Sequence, residues 1–278
     1  MSGNALVSAI VAVHNEERHI GECLRSLLAQ TYRPLEIIVV DDGSTDRTAD
    51  VVRQFETVRL FPQAQGGRAR AINHGVEAAG GDVVVFLDGD LLFGPDYVER
   101  LARPILAGEV AGTAHGTEHV ANPENVWAAC LQAKAGLPAD RRLMLTPAQL
   151  AEGSIVFRAI RTSEFRRVGG FDDFGYLDDQ TLFPKLGTRA RWVTEATCSH
   201  YNPERLREVW AAGVWGAQSI ARLHGLKALW RYQPLLSLPR ALAEARSKRR
   251  VSLVVYDCVY DAGVSWGLVH QLLTGRRS

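Results

Sequence analysis

The sequence predicts an α/β protein built on a Rossmann-like, mostly parallel sheet flanked by helices, with a helical C-terminal appendage. Three observations carry that expectation. Apolar, β-branched runs at Leu6 to Val13, Leu35 to Val40 and Val83 to Leu87 have the profile of central strands buried on both faces. Segments of helical period separate them, and strand–helix alternation at this spacing builds right-handed βαβ units. Beyond residue 202 the alternation gives way to long helical stretches, so 1–202 is expected to form the α/β domain and 203–278 a helical extension.

After the first strand, Ile20, Cys23, Leu24, Leu27 and Leu28 recur at helical spacing, and Pro34 closes that helix. The second strand runs into Asp41-Asp42-Gly43-Ser44-Thr45-Asp46, where Ser44 or Asp46 is a natural N-cap for a helix through Val51 and Phe55. A short strand, Val58 to Phe61, precedes Gln65-Gly66-Gly67-Arg68 and a helix from Ala69 to Ala79. Gly80-Gly81 leads to the strand ending in Asp88-Gly89-Asp90. A proline-opened helix, Pro95 to Ala107, follows. Further on, Val110 to Val120 reads as extended, Pro123 to Ala135 as helical, Leu137 to Ala151 as irregular and Gly153 to Arg158 as a strand. Arg161 to Gly187 predicts a short helix, a glycine turn and a second helix beginning near Leu177, with Asp178 and Asp179 in its first turn, where the helix dipole favours anions.

The last third predicts helices over Pro203 to His224, Leu226 to Ala245 and Val251 to Leu273. The third is long enough to span a bilayer, but Asp257 and Asp261 lie four apart on one face and His270 interrupts its end. It reads as amphipathic. Packing on the domain or a second subunit, as in a homodimer, and lying on a membrane surface beside the Arg246 to Arg250 cluster both remain open uses.

Composition excludes several classes. With 278 residues, 46% hydrophobic and 23% charged, the chain can bury a sizeable core. A formal net charge of +1 argues against a nucleic-acid-coating protein. Cys23, Cys130, Cys198 and Cys258 form no close pair, so neither a zinc knuckle nor a disulfide scaffold is expected. The N-terminal stretch lacks a basic region and meets acid early, unlike a secretory signal. A cytoplasmic setting is expected.

The chemistry gathers at strand ends. Near Asn15, Asp42 and Asp88 three strands end in polar tips, the edge at which open α/β sheets bind ligands. In extended backbone Asp88 and Asp90 would point to one side and reach one cation together, while Gly89 permits a sharp turn and close approach of a phosphate. One or two carboxylates completed by substrate phosphates are a usual Mg²⁺ site, and Mn²⁺ accepts the same ligands. Alone the triplet is weak, since Asp-x-Asp arises by chance on the order of once in a chain of this length.

Taken together, VSAIVAVHNEERHIGECLRSLLAQTYRPLEIIVVDDGSTDRTADVV, GGRARAIN, VVVFLDGD and GGFDDFGYLDDQTLF resemble, in order and spacing, the motifs of glycosyltransferase family 2 enzymes of the GT-A fold. The resemblance covers roughly residues 5 to 200. It implies a nucleotide-diphosphate sugar donor (UDP-, GDP- or dTDP-linked), Mn²⁺ or Mg²⁺, and inversion at the anomeric carbon. Matching positions place Val13, Asn15 and Glu16 at the border of the nucleotide, Asp42 with Asp41 at the base or ribose, and Arg68 near the nucleotide. Asp88, Gly89 and Asp90 match the Asp-x-Asp motif, with Asp90 the direct metal ligand and Asp88 nearer the ribose or metal. Asp179 matches the catalytic base and Asp178 stands in place of the usual Glu; where many members carry a further Asp, this chain has Thr181. His200 resembles a histidine that some members place near the metal or pyrophosphate; a buried, hydrogen-bonded histidine at a strand end is the alternative.

These expectations describe a hexosyltransferase acting on a hydroxyl acceptor, lipid-linked or polysaccharide by family habit, in the cytoplasm or peripherally at the inner face of the cell membrane, and binding no nucleic acid. A sugar nucleotidyltransferase would need a glycine-rich loop after the first strand, and His14-Asn15-Glu16-Glu17 is not one. A non-catalytic sugar-nucleotide binder is not separable on sequence, although retention of Asp42, Asp88, Asp90 and Asp179 together argues for turnover.

Overall fold

The computed structural model describes residues 5–224 and 232–274. The first half contains β1 (Val7–Val13), α1 (Ile20–Leu28), β2 (Leu35–Asp41), α2 (Thr48–Val52), β3 (Val58–Pro62), α3 (Arg68–Glu77), β4 (Val83–Asp88), β5 (Leu91–Phe93) and α4 (Tyr97–Leu106). After these come β6 (Gly112–Val120), α5 (Val126–Ala135), β7 (Arg141–Leu143), α6 (Pro147–Glu152), β8 (Ala159–Arg161) and α7 (Thr162–Arg167). A 3-10 turn over Gly175–Gln180 leads to α8 (Leu182–Leu186) and β9 (Arg191–His200). Among the described residues the last part of the chain holds α9 (Leu206–His224), α10 (Pro234–Ser247) and α11 (Ser252–Thr274).

The strands follow the order β3-β2-β1-β4-β8-β6-β9-β5. β3, β2, β1 and β4 run parallel, with Val13 opposite Asp41 and Ala12 opposite Asp88, so three polar tips finish at one level. From β8 onward the pairings with β4, β6 and β5 are antiparallel. The period of two along a strand sorts side chains to the two faces. Val7, Ala9, Val11 and Val13 pack with Leu24, Leu27 and Leu101 beneath α1 and α4, while Ile10 packs with Ile72, Val76 and Phe86 beneath α3.

The chain divides into two compact units. The first comprises Met1–His119, Leu143–Phe174 and Asp178–His200, and holds the sheet. The second comprises Val120–Arg142, Gly175–Leu177 and Tyr201–Ser278. A linear boundary at 202/203 therefore omits Val120–Arg142. The reason is burial: Cys130 of α5 shares a core with Val209, Leu253 and Tyr256 of the C-terminal helices.

Several local expectations change. The helix expected through Phe55 ends at Val52, and Asp46 accepts hydrogen bonds from the Thr48 amide and hydroxyl rather than standing at the N-cap. Leu137 to Ala151 is not irregular; it contains β7 and α6, the latter opened by a Thr146–Gln149 capping box. The strand expected over Gly153 to Arg158 lies at Ala159–Arg161, and Ser154 makes only an isolated bridge to Ala190. The helix expected from Leu177 is the short 3-10 turn, with α8 beginning after Thr181. Pro95 precedes the N-cap Asp96 of α4, and the helix contains Pro104 instead. The expected Leu226 to Ala245 helix is α10 from Pro234; residues 226–231 lie outside the described residues.

The amphipathic reading of the last helix is inverted. Asp257 and Asp261 are buried within the second unit, where Asp257 pairs with Lys134 and Asp261 with Arg240 at 2.8 Å. Those cations offset the cost of desolvating two carboxylates. Among the described residues, no helix is long and apolar enough to cross a membrane.

Candidate active site

At the end of β4 the chain leaves the sheet at Asp88, and Gly89-Asp90 form a tight turn into β5. A side chain at Gly89 would place its Cβ 2.7 Å from Val13 Cγ1, so only glycine lets this turn lie against β1. The two carboxylates have different partners, and Asp90 stands in the turn rather than in extended strand. Asp88 accepts from Arg68 Nε at 2.7 Å and from Arg158 Nη1 at 3.2 Å. Asp90 faces His200 Nε2 across 3.0 Å.

Arg68 opens α3 and reaches two acids at once, since its Nη1 also donates to Asp178 Oδ1 at 3.2 Å. The result is a largely buried cluster of Asp88, Arg68, Arg158 and Asp178. Burial opposes ionisation of Asp88, but the adjacent Arg68 and Arg158 guanidiniums outweigh it and hold the carboxyl well below the usual range. For Asp178 the balance reverses: burial, assisted by the charges of Asp179 and Asp88, overcomes Arg68 and raises its pKa to about 6. Burial likewise raises Asp179 against the opposing fields of Arg158 and Arg68. Arg68 bonds Asp178, whereas both arginines act on Asp179 through space, leaving that carboxylate the more available of the two.

The nucleotide-side residues expected from the sequence form a second network. Asn15 adopts a left-handed conformation, φ 58°; its Oδ1 accepts from the Thr45 amide at 2.8 Å and its amide donates to Ser44 Oγ at 2.9 Å. Asp41 accepts from the Ser44 amide. Asp42 is buried, and its two oxygens accept from the Gly66 and Gly67 amides, both at 2.8 Å, and from Gln63 Nε2 at 2.7 Å. As arranged, Asp41 and Asp42 shape the loops after β2 and β3. Glu16, on the approach to Asp90, has its pKa raised by burial and then by the Asp90 charge.

Sequence reasoning missed Arg158 and Glu118. Arg158 falls just before β8, where the run from Gly153 had read as strand backbone; its side chain joins the cluster only because β8 pairs antiparallel with β4. Glu118, on β6, lies 2.7 Å from His200 Nδ1. An acid and a histidine on distant segments give no local signal. An open pocket of about 640 Å³ lies along α3, lined by Arg70, Asn73, His74 and Glu77 together with Phe171 and Asp173.

A family model described as "Glycosyl transferase family 2" matches residues 8–169, from β1 through α7. The chain belongs to glycosyltransferase family 2. A probable glycosyltransferase, YdaM of Bacillus subtilis, is 30% identical over 236 residues, covering 74% of this chain and 54% of that protein. An uncharacterised glycosyltransferase of Nostoc sp. is 36% identical over 114 residues, 39% of this chain and 35% of the relative. The chain thus spans about a third to a half of the length of these curated relatives. Among solved structures, the mannosyltransferase PcManGT of Pyrobaculum calidifontis, in complex with GDP-Man and Mn²⁺, aligns with a TM-score of 0.55 at 21% identity, covering 95% of this chain and 88% of that one. TarS 1–349 of S. aureus, in complex with UDP-GlcNAc, aligns with a TM-score of 0.58 at 15% identity, covering 97% of this chain and 92% of that one. These two establish the likeness of fold, which is that of GT-A glycosyltransferases.

Proposed function

We propose that this family 2 glycosyltransferase transfers a hexosyl group from a nucleotide-diphosphate sugar to a hydroxyl acceptor, with inversion and with Asp179 as the base. The observation that carries the reading is the Asp88–Arg68–Asp178 bridge, which sets the Asp178-Asp179 pair beside the Asp-x-Asp turn at the sheet edge. An acceptor hydroxyl is a weak nucleophile near neutral pH and must lose its proton as it attacks. A carboxylate whose affinity for protons is raised by burial is suited to accept it, and Asp179 has that affinity without a bonded arginine. Asp178, tied to Arg68, orients the pair. The diphosphate gains charge as it departs, and Arg68 and Arg158 place two buried cations beside Asp88, where they favour that charge.

The donor set tests the fit of a divalent ion. Among the described residues no three His, Cys, Asp or Glu side chains converge on one point. Asp90 with His200 nevertheless supplies one oxygen and one nitrogen donor 3.0 Å apart, and a site of two protein ligands completed by phosphate oxygens suits Mn²⁺ or Mg²⁺. Asp90 and His200, with Asp88 of the same motif, would hold the ion, which would supply positive charge for the leaving diphosphate. The acceptor class we favour is lipid-linked or polysaccharide, approached peripherally from the cytoplasmic side.

Release of free nucleoside diphosphate from a panel of nucleotide sugars tests the reading. Asp179→Asn is expected to lower kcat on the order of 10²- to 10⁴-fold with donor KM within a few-fold. Equal turnover by the variant and the parent with every donor would overturn the assignment. Thermal shift with UDP, GDP and dTDP sugars, with and without Mn²⁺, identifies the donor.

A further inference from the structure

His200 is held from both sides. The register of β5 against β9 pairs Leu91 with His200, which brings Asp90, one residue earlier, to the Nε2 edge of the ring. On the opposite edge, Glu118 Oε1 lies 2.7 Å from His200 Nδ1. Its other oxygen, Oε2, is 3.3 Å from His115 Nε2, and His115 Nδ1 is 2.8 Å from the hydroxyl of Tyr97, which is fully buried. Glu118 is thus a carboxylate clasped by two imidazoles, with a buried phenol behind one of them.

An ionised carboxylate only accepts hydrogen bonds, so the imidazole nitrogens facing Glu118 carry protons. For His115, which burial keeps toward its neutral form, the remaining nitrogen is then an acceptor and Tyr97 donates to it. For His200 the consequence is functional. With Nδ1–H engaged by Glu118, the ring is locked; by the same rule Nε2, 3.0 Å from the Asp90 carboxylate, carries a proton in this arrangement, and a cation bound there would take that proton's place. A carboxylate that fixes the rotation and tautomer of a ligating histidine is a recurrent support for metal ligands.

We propose that Glu118 is a positioning residue, which holds His200 Nδ1–H so that Nε2 stays aimed at the place beside Asp90 where a divalent cation and the nucleoside diphosphate meet. The inference rests on the proposed cation role of Asp90 and His200. In this reading Glu118 acts through His200.

Mn²⁺ binding, followed by electron paramagnetic resonance with and without the cognate nucleoside diphosphate, reads this role without turnover. Glu118→Ala is expected to weaken Mn²⁺ binding on the order of 10- to 100-fold, and Glu118→Gln, whose amide oxygen still accepts, to fall between that variant and the parent. In a His200→Ala background, replacing Glu118 is expected to add nothing, because the two residues act as one unit. Saturating Mn²⁺ is expected to restore most of kcat to both Glu118 variants. Unchanged affinity in the Glu118 variants, or additive losses in the double variant, would overturn the positioning role. Should Glu118→Ala not fold, Glu118→Gln alone and with His200→Ala decides by the same criteria. Loss of Mn²⁺ in His200→Ala with none in the Glu118 variants rejects the inference and leaves the proposed function standing, whereas parent-like binding by His200→Ala rejects the cation site itself.

Discussion

Asp178 and Asp179 are neighbours in sequence and occupy different electrostatic settings. Asp178 is buried and bonded to Arg68, and its pKa is still raised to about 6. The sign of the consequence follows from linkage. A carboxyl that holds its proton more tightly in the folded chain than in the unfolded chain stabilises the fold below the unfolded pKa, near 4, and that contribution is lost as pH rises through about 6. Asp178→Asn is therefore expected to gain stability over the parent between pH 4 and pH 7, by on the order of 2–3 kcal/mol, measured by chemical denaturation of each at both pH values. A flat difference would reject the raised pKa. Catalysis runs the other way, because the Asp179 base must be ionised: burial raises its pKa, so kcat/KM of the parent is expected to fall on acidification before the usual carboxylate range is reached, and a pH–rate profile shows it.

At the scale of the element, the loop between β3 and α3 is shaped by one side chain. Asp42 gathers the Gly66 and Gly67 amides and the Gln63 amide group, and Gln63 in turn meets His74 Nδ1 at 2.9 Å. Gly67, at φ 90°, then delivers the chain to Arg68, the first residue of α3. Asp42→Ala would leave these donors unpaired, at about 1–3 kcal/mol for a buried group, and would loosen the loop that aims Arg68. The expected outcome is a lowered melting temperature with donor KM raised about tenfold or more and kcat less affected; steady-state kinetics beside a thermal melt checks it. How much of this was legible differs by residue. Asp42, Arg68 and Asp88 stand at element boundaries that hydrophobic periodicity marks, so their approach to one edge could be read. Arg158 and Glu118 could not, because the pairing of β8 with β4 and the placement of β9 beside β6 are set by long-range packing that no local pattern reports.

For the molecule as a whole, α11 turns Asp257 and Asp261 inward and part of its apolar surface outward. Trp266, Leu272, Leu273 and Val251 are exposed, the last beside the Arg249-Arg250 pair. An apolar surface beside basic residues is suited to an anionic bilayer. Deleting the C-terminal helices would not isolate this surface, since α11 buries Leu253 and Tyr256 against Cys130 of α5 and its loss would expose that core. The triple variant Trp266→Ser, Leu272→Ser, Leu273→Ser leaves the core intact. It is expected to sediment less than the parent with vesicles containing phosphatidylglycerol; equal partitioning would remove the proposed membrane role.

The sequence by itself determined the α/β class, the positions of the first four strands along the chain and the clustering of Asn15, Asp42 and Asp88 at one edge, because buried parallel strands and their intervening helices are written in local hydrophobic period. Tertiary structure alone decided which partners each acid meets. Which guanidiniums lie beside Asp88, whether Asp257 and Asp261 meet water or Lys134 and Arg240, and whether Asp178 or Asp179 stands free of a bonded guanidinium all depend on partners many residues away. Burial and Coulomb fields are properties of that assembled neighbourhood, and a chain read residue by residue does not contain them.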